Sequence, residues 1–511
     1  MIKKGTKGIT LIALVVTIVV LLILAGITIN LVFSENGIIE KAREAKNKWE
    51  NAIETEQEEI NNLMNEINEE ITDKDLDIYV FLYEDGTLTF GNNNEPLEGK
   101  TVIKEYGNIK GQTYTFTWDV PSDSINVNTP WKEETENITN IEILNEIKPT
   151  STACWFANFN NLTQIKNIEN IHTENVTDMK AMFAYSNNLT NLDLTSFNTK
   201  NTTNMQYMFV GCTSLTNLNV SSFDTSKVTD MAGMFNLCEN LTELDLSSFK
   251  TTNVTYMQYM FANMHKVTQI KGIENFDTTN VTNMHCMFYI CYKLESLNIT
   301  NFKTNNVTDM RGMFEYCETI TSIDVSNFDT SKVTDMAFMF AFMSKLTEIK
   351  GIEEFDTSKV TDMQSMFYKC CDLENLNLTN FKTSNVTNMR GMFDYCESLT
   401  SIDVSSFDTS EVTDMSYMFA YMSNVTEIKG TENLETGNVT TMEYVFFQSS
   451  KLTSLDLSKF NTNKVTTMAA MFYGCSNLKT IYVGTGWTME NVENTYNMFL
   501  NCGTNDVTLK T

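Results

Sequence analysis

The sequence predicts an α/β repeat fold, a right-handed solenoid with a parallel sheet on its concave side, and three observations predict it. A Met-Phe pair recurs along most of the chain, a Leu-x-x-Leu-x-Leu run follows it, and Val and Met residues at spacings of three and four precede it. The Phe markers are Phe183, Phe209, Phe235, Phe261, Phe288, Phe314, Phe340, Phe367, Phe393, Phe419, Phe446, Phe472 and Phe499, and every step is 26 or 27 residues. Repetition on that period signals stacked coils, because one such unit cannot bury its own apolar faces. Length alone, 511 residues, would suggest several ordinary domains, and the repetition overrides that count.

Each segment of one coil has its own expectation. Leu241, Leu244 and Leu246 alternate as a strand requires, which is the leucine-rich-repeat pattern and the inner wall. Val254, Met257, Met260 and Phe261 then recur at helical spacing, which predicts a helical outer wall. Thr or Ser followed by Asp or Asn before each Met, as in Thr229-Asp230, suits a helix start. A longer period overlies the coils: the stretch from Asn306 returns from Asn385, 79 residues later. One coil in three reads "IKGIENF" or a variant, and its extra residue predicts a bulge at Gly272, Gly351 and Gly430.

Before the array the chain changes character. A basic leader, residues 1–8, precedes an apolar run over 9–33 that is long enough to cross a bilayer as a helix. Lysines before it and acidic residues after it place the rest of the chain outside the cell. Residues 34–76 read as a charged helical stalk with Ile60, Leu63, Ile67 and Ile71 on one face. Residues 77–137 read as a β-rich cap, and 138–511 as about fourteen coils of 26 or 27 residues.

Composition narrows the function. A net charge of −29 disfavours nucleic acid, whose phosphates need clustered Lys and Arg. The three histidines, His172, His265 and His285, fall at unrelated repeat positions, and no nucleophile comes with a matched base, so no enzyme is expected. Paired C-x-x-C motifs are absent, so neither metal nor cofactor is expected. Eight cysteines, Cys212, Cys238, Cys291, Cys317, Cys370, Cys396, Cys475 and Cys502, each lie three residues after a marker Phe. Met or Ser fills that column elsewhere, which favours buried free thiols; outside a cell, neighbours in the column form a possible disulfide ladder. The candidate binding face is the outward column of the concave strands: Asp245, Lys271, Asn298, Asp324, Lys350, Asn377, Asp403 and Lys429. Opposite charges fall side by side there, at Asp245 with Lys271, Asp324 with Lys350 and Asp403 with Lys429. No aromatic row accompanies the column.

Two resemblances add to this reading. The join "KG|ITLIALVV" resembles the prepilin leader of type IV pilins and pseudopilins, which implies cleavage between Gly8 and Ile9; Ala13 stands where such proteins usually carry Glu. The repeats, "FDTSKVTDMxxMFxxCxxLTxLDLSxF" in outline, resemble the BspA-like leucine-rich-repeat surface proteins. That resemblance implies a bacterial cell-surface protein, with members linked to adhesion to host or other cells. Together with the single span read above, it predicts an array outside for adhesion or protein interaction. The implied partner is a protein or carbohydrate on another cell, host or matrix. The alternative is a minor pilin or pseudopilin that carries the array on a filament beside other pilin-like subunits.

Overall fold

The computed structural model describes residues 77–119 and 124–510. The leader with Gly8 and Ile9, the apolar run and the helical stalk lie outside the described residues. Among the described residues no helix is long and apolar enough to cross a membrane.

The chain opens with β1 (Tyr79–Tyr83), β2 (Thr87–Gly91) and β3 (Val102–Asn108), which pair antiparallel in the order β3-β1-β2. A hairpin of β4 (Phe116–Asp119) and β5 (Ser124–Val127) follows. Strand β2 then pairs in parallel with β6 (Asn140–Ile143), and β6 with β7 (Gln164–Lys166). The lead-in sheet therefore runs directly into the first coils and covers their open end. Trp131, Phe90, Trp155 and Phe156 fill the junction, with Phe90 stacked on Trp155 at 5.2 Å.

From β7 onward the chain is a stack of coils around one continuous dry core that reaches Met498. The strand wall is as expected in its burial: Leu241, Leu244 and Leu246 are each no more than 1% exposed. Its continuity differs from the expectation. Strands pair in parallel as β8 (Asn191–Asp193) with β9 (Asn217–Asn219), then β10 (Glu243–Asp245) with β11 (Gln269–Lys271). The next pairs are β12 (Ser322–Asp324) with β13 (Glu348–Lys350) and β14 (Ser401–Asp403) with β15 (Glu427–Lys429). The last three, β16 (Ser454–Leu457), β17 (Thr480–Val483) and β18 (Thr508–Leu509), close the array. The coils through Asn298 and Asn377 carry no strand, so the inner wall is a series of short blocks instead of one sheet.

The two strandless coils follow the longer coils at Gly272 and Gly351. Gly272, Gly351 and Gly430 do not form β-bulges: each adopts a left-handed conformation (φ 84°, 82° and 87°) and leads into a one-turn 3-10 segment. A Cβ at Gly351 would lie 2.3 Å from Ser326 Cα, so the backbone of the preceding coil occupies the space a side chain would need.

The helical outer wall is replaced by another structure. Among the described residues there is no α-helix; the Met-x-x-Met-Phe segments are consecutive tight turns. In the coil from Met179, the amides of Met182 and Ala184 close turns onto Met179 and Ala181. Those of Met179, Ala181, Phe183 and Tyr185 instead donate to the carbonyls of Asn204, Gln206, Met208 and Val210 in the next coil. The interior of an α-helix satisfies such donors internally; here four of these six join the neighbouring coil. Two residues of each such segment take positive φ, Ala181 and Tyr185 in this coil, and that conformation ends any helix. Spacings of three and four arise from the paired turns and imitate a helix face.

The Asp or Asn before each Met is likewise not a helix cap. Asp230 Oδ1 accepts the amide of Ala232 at 2.9 Å, an Asx turn. The same column forms an unbroken ladder of parallel bridges from Ser151 through Asp178, Asn204 and Asp230 to Asn494. Buried threonines tie the coils elsewhere: Thr278 Oγ1 accepts the amide of Lys303 at 2.7 Å and donates to its carbonyl at 2.9 Å. A hydroxyl that carries one donor and two lone pairs meets both needs, which is why Thr holds this buried column.

Candidate functional site

The strand-face column lies where its spacing places it, but its electrostatics differ from direct cross-strand pairing. Asp245 faces Lys271 in register, Asp324 faces Lys350, and Asp403 faces Lys429. Each aspartate nevertheless turns back on its own chain: Asp245 Oδ1 accepts the Ser247 amide at 3.0 Å, and Asp324 and Asp403 do the same with Ser326 and Ser405. Those serine hydrogen bonds, with Lys271 as a smaller contribution, hold the Asp245 carboxyl below its ordinary range. Lys271 Nζ meets Glu243 Oε2 at 3.3 Å, and Lys350 lies 3.9 Å from Glu348. Asn298 and Asn377 stand in the strandless coils and accept the hydroxyls of Thr300 and Thr379, both at 2.8 Å. Six of the eight are exposed and Asp324 and Asp403 are half-buried, so the residues mark one edge of successive coils as a polar strip without forming one continuous site.

All eleven cysteines are free thiols. Cys212 Sγ donates to the carbonyl of Phe183 in the preceding coil at 3.2 Å, and Cys238, Cys291, Cys317, Cys396 and Cys475 repeat the contact. Serine does the same where it replaces cysteine, with Ser186 on Phe156 at 2.6 Å and Ser449 on Phe419 at 2.7 Å. Burial pushes the Cys212 and Cys291 thiols up to about 12, so they stay protonated donors. Cys502, on the last coil, is only partly buried. Among the described residues no group of three or more His, Cys, Asp or Glu side chains could hold a metal ion.

Sequence reasoning missed the turn side of the coils. A row of half-buried rings runs there from Tyr289 to Tyr473: Tyr289, Tyr316, Phe342, Tyr368, Tyr395, Tyr421, Phe447 and Tyr473. Tyr316 stacks on Phe342 at 3.8 Å and Tyr395 on Tyr421 at 4.0 Å. The Lys369 ammonium sits 5.0 Å from Phe342 and 5.5 Å from Tyr395. At the amino-terminal end of this side the β4–β5 hairpin covers the rings, with Phe116 against Tyr207 at 5.5 Å and Trp118 against Tyr207 and Tyr259. The signal available in the sequence was the 79-residue return of Arg311-Gly312 as Arg390-Gly391, each followed by an acid, Glu315 or Asp394.

Coils that close on each other through amide ladders, with leucines inside and short parallel strands along one edge, define a β-solenoid of the leucine-rich-repeat type. Within that class the chain belongs to the family described as Mycoplasma protein of unknown function, DUF285, whose model matches residues 150–270, 265–349, 341–428 and 403–510. No curated protein matches the chain. Among solved structures, it is similar to a leucine-rich repeat protein from Bacteroides ovatus (14% identity, 75% of this chain and 98% of that one, TM-score 0.36). It is also similar to one from Eubacterium ventriosum (14% identity, 84% and 94%, TM-score 0.35). A third is the functional domain of InlJ from Listeria monocytogenes, which includes a cysteine ladder (13% identity, 65% and 67%, TM-score 0.19).

Proposed function

We propose that the chain is a bacterial cell-surface adhesion or protein-interaction protein, anchored through its amino-terminal apolar helix with the array outside. Its ligand is a protein or carbohydrate on another cell, a host or a matrix, and it acts by binding, not catalysis. The observation that carries this reading is the polar strip, which places Lys271, Lys350 and Lys429 at the same position of every third coil. A stack of coils suits extended binding because its surface groups recur at a fixed spacing. Charge reversal at Lys271, Lys350 and Lys429 tests it: attachment of cells that display the variant should fall, and unchanged attachment removes the strip from the reading.

A second reading, a minor pilin or pseudopilin, is favoured by the leader "KG" before "ITLIALVV". Amino-terminal sequencing of protein isolated from cells separates the two: Ile9 as the first residue supports the pilin-like route, and intact Met1 removes it.

A further inference from the structure

We infer that the hollow around Asp394, and its counterpart 79 residues earlier around Glu315, each bind one neutral sugar ring of a glycan. The inference rests on the reading of the array as a binding scaffold and names a site and ligand class for it.

The hollow comes from two small residues stacked in successive coils. Gly391 is left-handed (φ 60°), and directly before it in the stack stands Ser365, whose Oγ would lie 3.2 Å from a Cβ at Gly391. A cavity of about 240 Å³ results, lined by Ser365, Tyr368, Arg390, Gly391, Asp394 and Tyr417. That is below the usual range for drug-sized ligands and suits a single ring. Asp394 is 7% exposed, and its Oδ1 has no hydrogen-bond partner. A buried carboxyl oxygen without a donor is costly, so a small rotation of the Asp394 side chain that turns this oxygen toward the hollow and lets a ligand hydroxyl donate to it gains more than a surface contact would. Arg390 packs over Tyr417 at 5.0 Å, and its Nη1 lies 3.8 Å from Asp414 Oδ2, too long for a good hydrogen bond. A guanidinium has five N–H donors, so donors remain for a ligand.

Charge selects the ligand class. Lys369 and Arg390 both act on Asp394, so a cation entering the hollow meets two positive groups, and an anion meets the carboxyl. A vicinal diol satisfies both sides: one hydroxyl donates to Asp394 and its neighbour accepts from Arg390. Tyr368 supplies ring surface for the apolar face of a sugar, while Tyr417, covered by Arg390 and stacked on Tyr444 at 4.6 Å, forms the wall behind the guanidinium.

The other blocks provide an internal comparison. The set Cys286, Tyr289, Arg311, Gly312, Glu315 and Phe338 repeats the site at an offset of 79 residues. Arg311 packs over Phe338 at 5.0 Å, and Glu315 Oε2 reaches within 3.0 Å of where a Gly312 Cβ would lie. Another 79 residues earlier the hollow is plugged: Tyr207 stands in place of the small residue, and its ring lies 2.4 Å from a Gly233 Cβ position. Trp118 of the hairpin packs on that ring. Ala232 and Asn236 replace the arginine and the acid. The charged pair is therefore present where Ser or Cys stands before the glycine and absent where a tyrosine ring takes that place. At about 4.8 Å per coil the two proposed sites lie roughly 14 Å apart, within reach of one glycan chain.

The plug supplies the test. The Cys286→Tyr and Ser365→Tyr double variant places in both sites the residue that the fold already accepts at Tyr207, also at positive φ. Saturation-transfer NMR on the full chain in detergent micelles, with glucose, galactose, mannose and N-acetylglucosamine as probes, should show transfer to at least one sugar. The double variant, and Asp394→Ala with Glu315→Ala, should lose it by about ten-fold or more with melting retained. The inference is overturned if no probe shows transfer, if the plugged variant keeps wild-type transfer, or if lysine amide or sialic acid is bound in place of the neutral sugars. Cell attachment measured on the same wild-type chain separates the two readings: attachment without sugar transfer removes the sugar site and leaves the adhesion reading standing.

Discussion

Cys370 Sγ donates to the carbonyl of Phe340, in the preceding coil, at 3.2 Å. Both groups are buried, and the bond links the soft column of the core to the backbone of its neighbour. Cys370→Ser should therefore change stability by no more than about 1 kcal/mol, because the hydroxyl keeps the donor, as Ser186 and Ser449 do. Cys370→Ala removes one of two donors to that carbonyl, which still accepts the Met343 amide at 3.4 Å. It should cost about 0.5–1.5 kcal/mol for the lost hydrogen bond, with the lost packing of the thiol added. Urea unfolding midpoints of the two variants measure the difference, and equal losses would show that packing, not the hydrogen bond, sets the column.

Gly351 and Gly437 make a matched pair for testing the longer coils. Gly351 has φ 82° and the backbone of Ser326 against it, whereas a Cβ at Gly437 meets only Asn461 Nδ2 at 3.8 Å. Gly351→Ala should lose at least about 2 kcal/mol, through left-handed strain and the clash together. Gly437→Ala should stay within about 0.5 kcal/mol. Thermal melts of both variants check the ordering.

The two buried acids give the array an unusual pH response. Burial pushes Glu315 up to about 7, with Arg311 opposing, and Asp394 up to about 7, with Lys369 and Arg390 opposing. Both start from ordinary carboxyl values of 4.5 and 3.8, so between about pH 4 and 7 the folded chain holds more protons than the unfolded one. Stability from these two groups therefore falls as pH rises through that window. Asp245, Asp324 and Asp403 have the opposite sign: their lowered values support the fold above about pH 4, and that support is lost in stronger acid. Glu315→Gln with Asp394→Asn should flatten the decline in melting temperature between pH 5 and pH 8. A slope equal to that of the wild type would assign the decline to other groups.

How much of this was legible in the sequence follows from which contacts are local. Leu241, Leu244 and Leu246 declare a strand through alternation inside six residues, and the Phe markers declare stacking through their period. The outer wall was misread because Met257, Met260 and Phe261 have helical spacing, while the residue that forbids a helix there, Tyr259 at φ 57°, carries no local sign of its conformation. Gly312 and Gly391 occupy the equivalent place in other coils, but most coils put a larger residue there. The hollow at Asp394 was out of reach for a related reason. It depends on Ser365 lying against Gly391, two residues 26 apart whose contact exists only once the coils are stacked. The strip aspartates failed as ion-pair partners because each has a nearer donor, the amide two residues on.

If coil-to-coil contacts alone hold the array, a whole three-coil block can be removed without loss of folding. Excision of residues 306–384 joins Asn305 to Asn385 and brings Phe393 into the place of Phe314. The stack then continues in kind: Phe288 meets Phe314 at 5.9 Å now, and Phe367 meets Phe393 at the same 5.9 Å. Asn385, which donates to Ser358 at 2.7 Å, would find Thr279 where Asn306 now donates at 2.9 Å. Cys286 and Arg390 would fall in one composite position, so the number of proposed sites falls from two to one. The shortened chain should remain folded, with a denaturant slope reduced in proportion to the residues removed. Sugar transfer should persist with the avidity of the paired sites gone. Collapse of the shortened chain would mean that the block carries contacts beyond its nearest neighbours, and the additive picture of the stack would have to be abandoned.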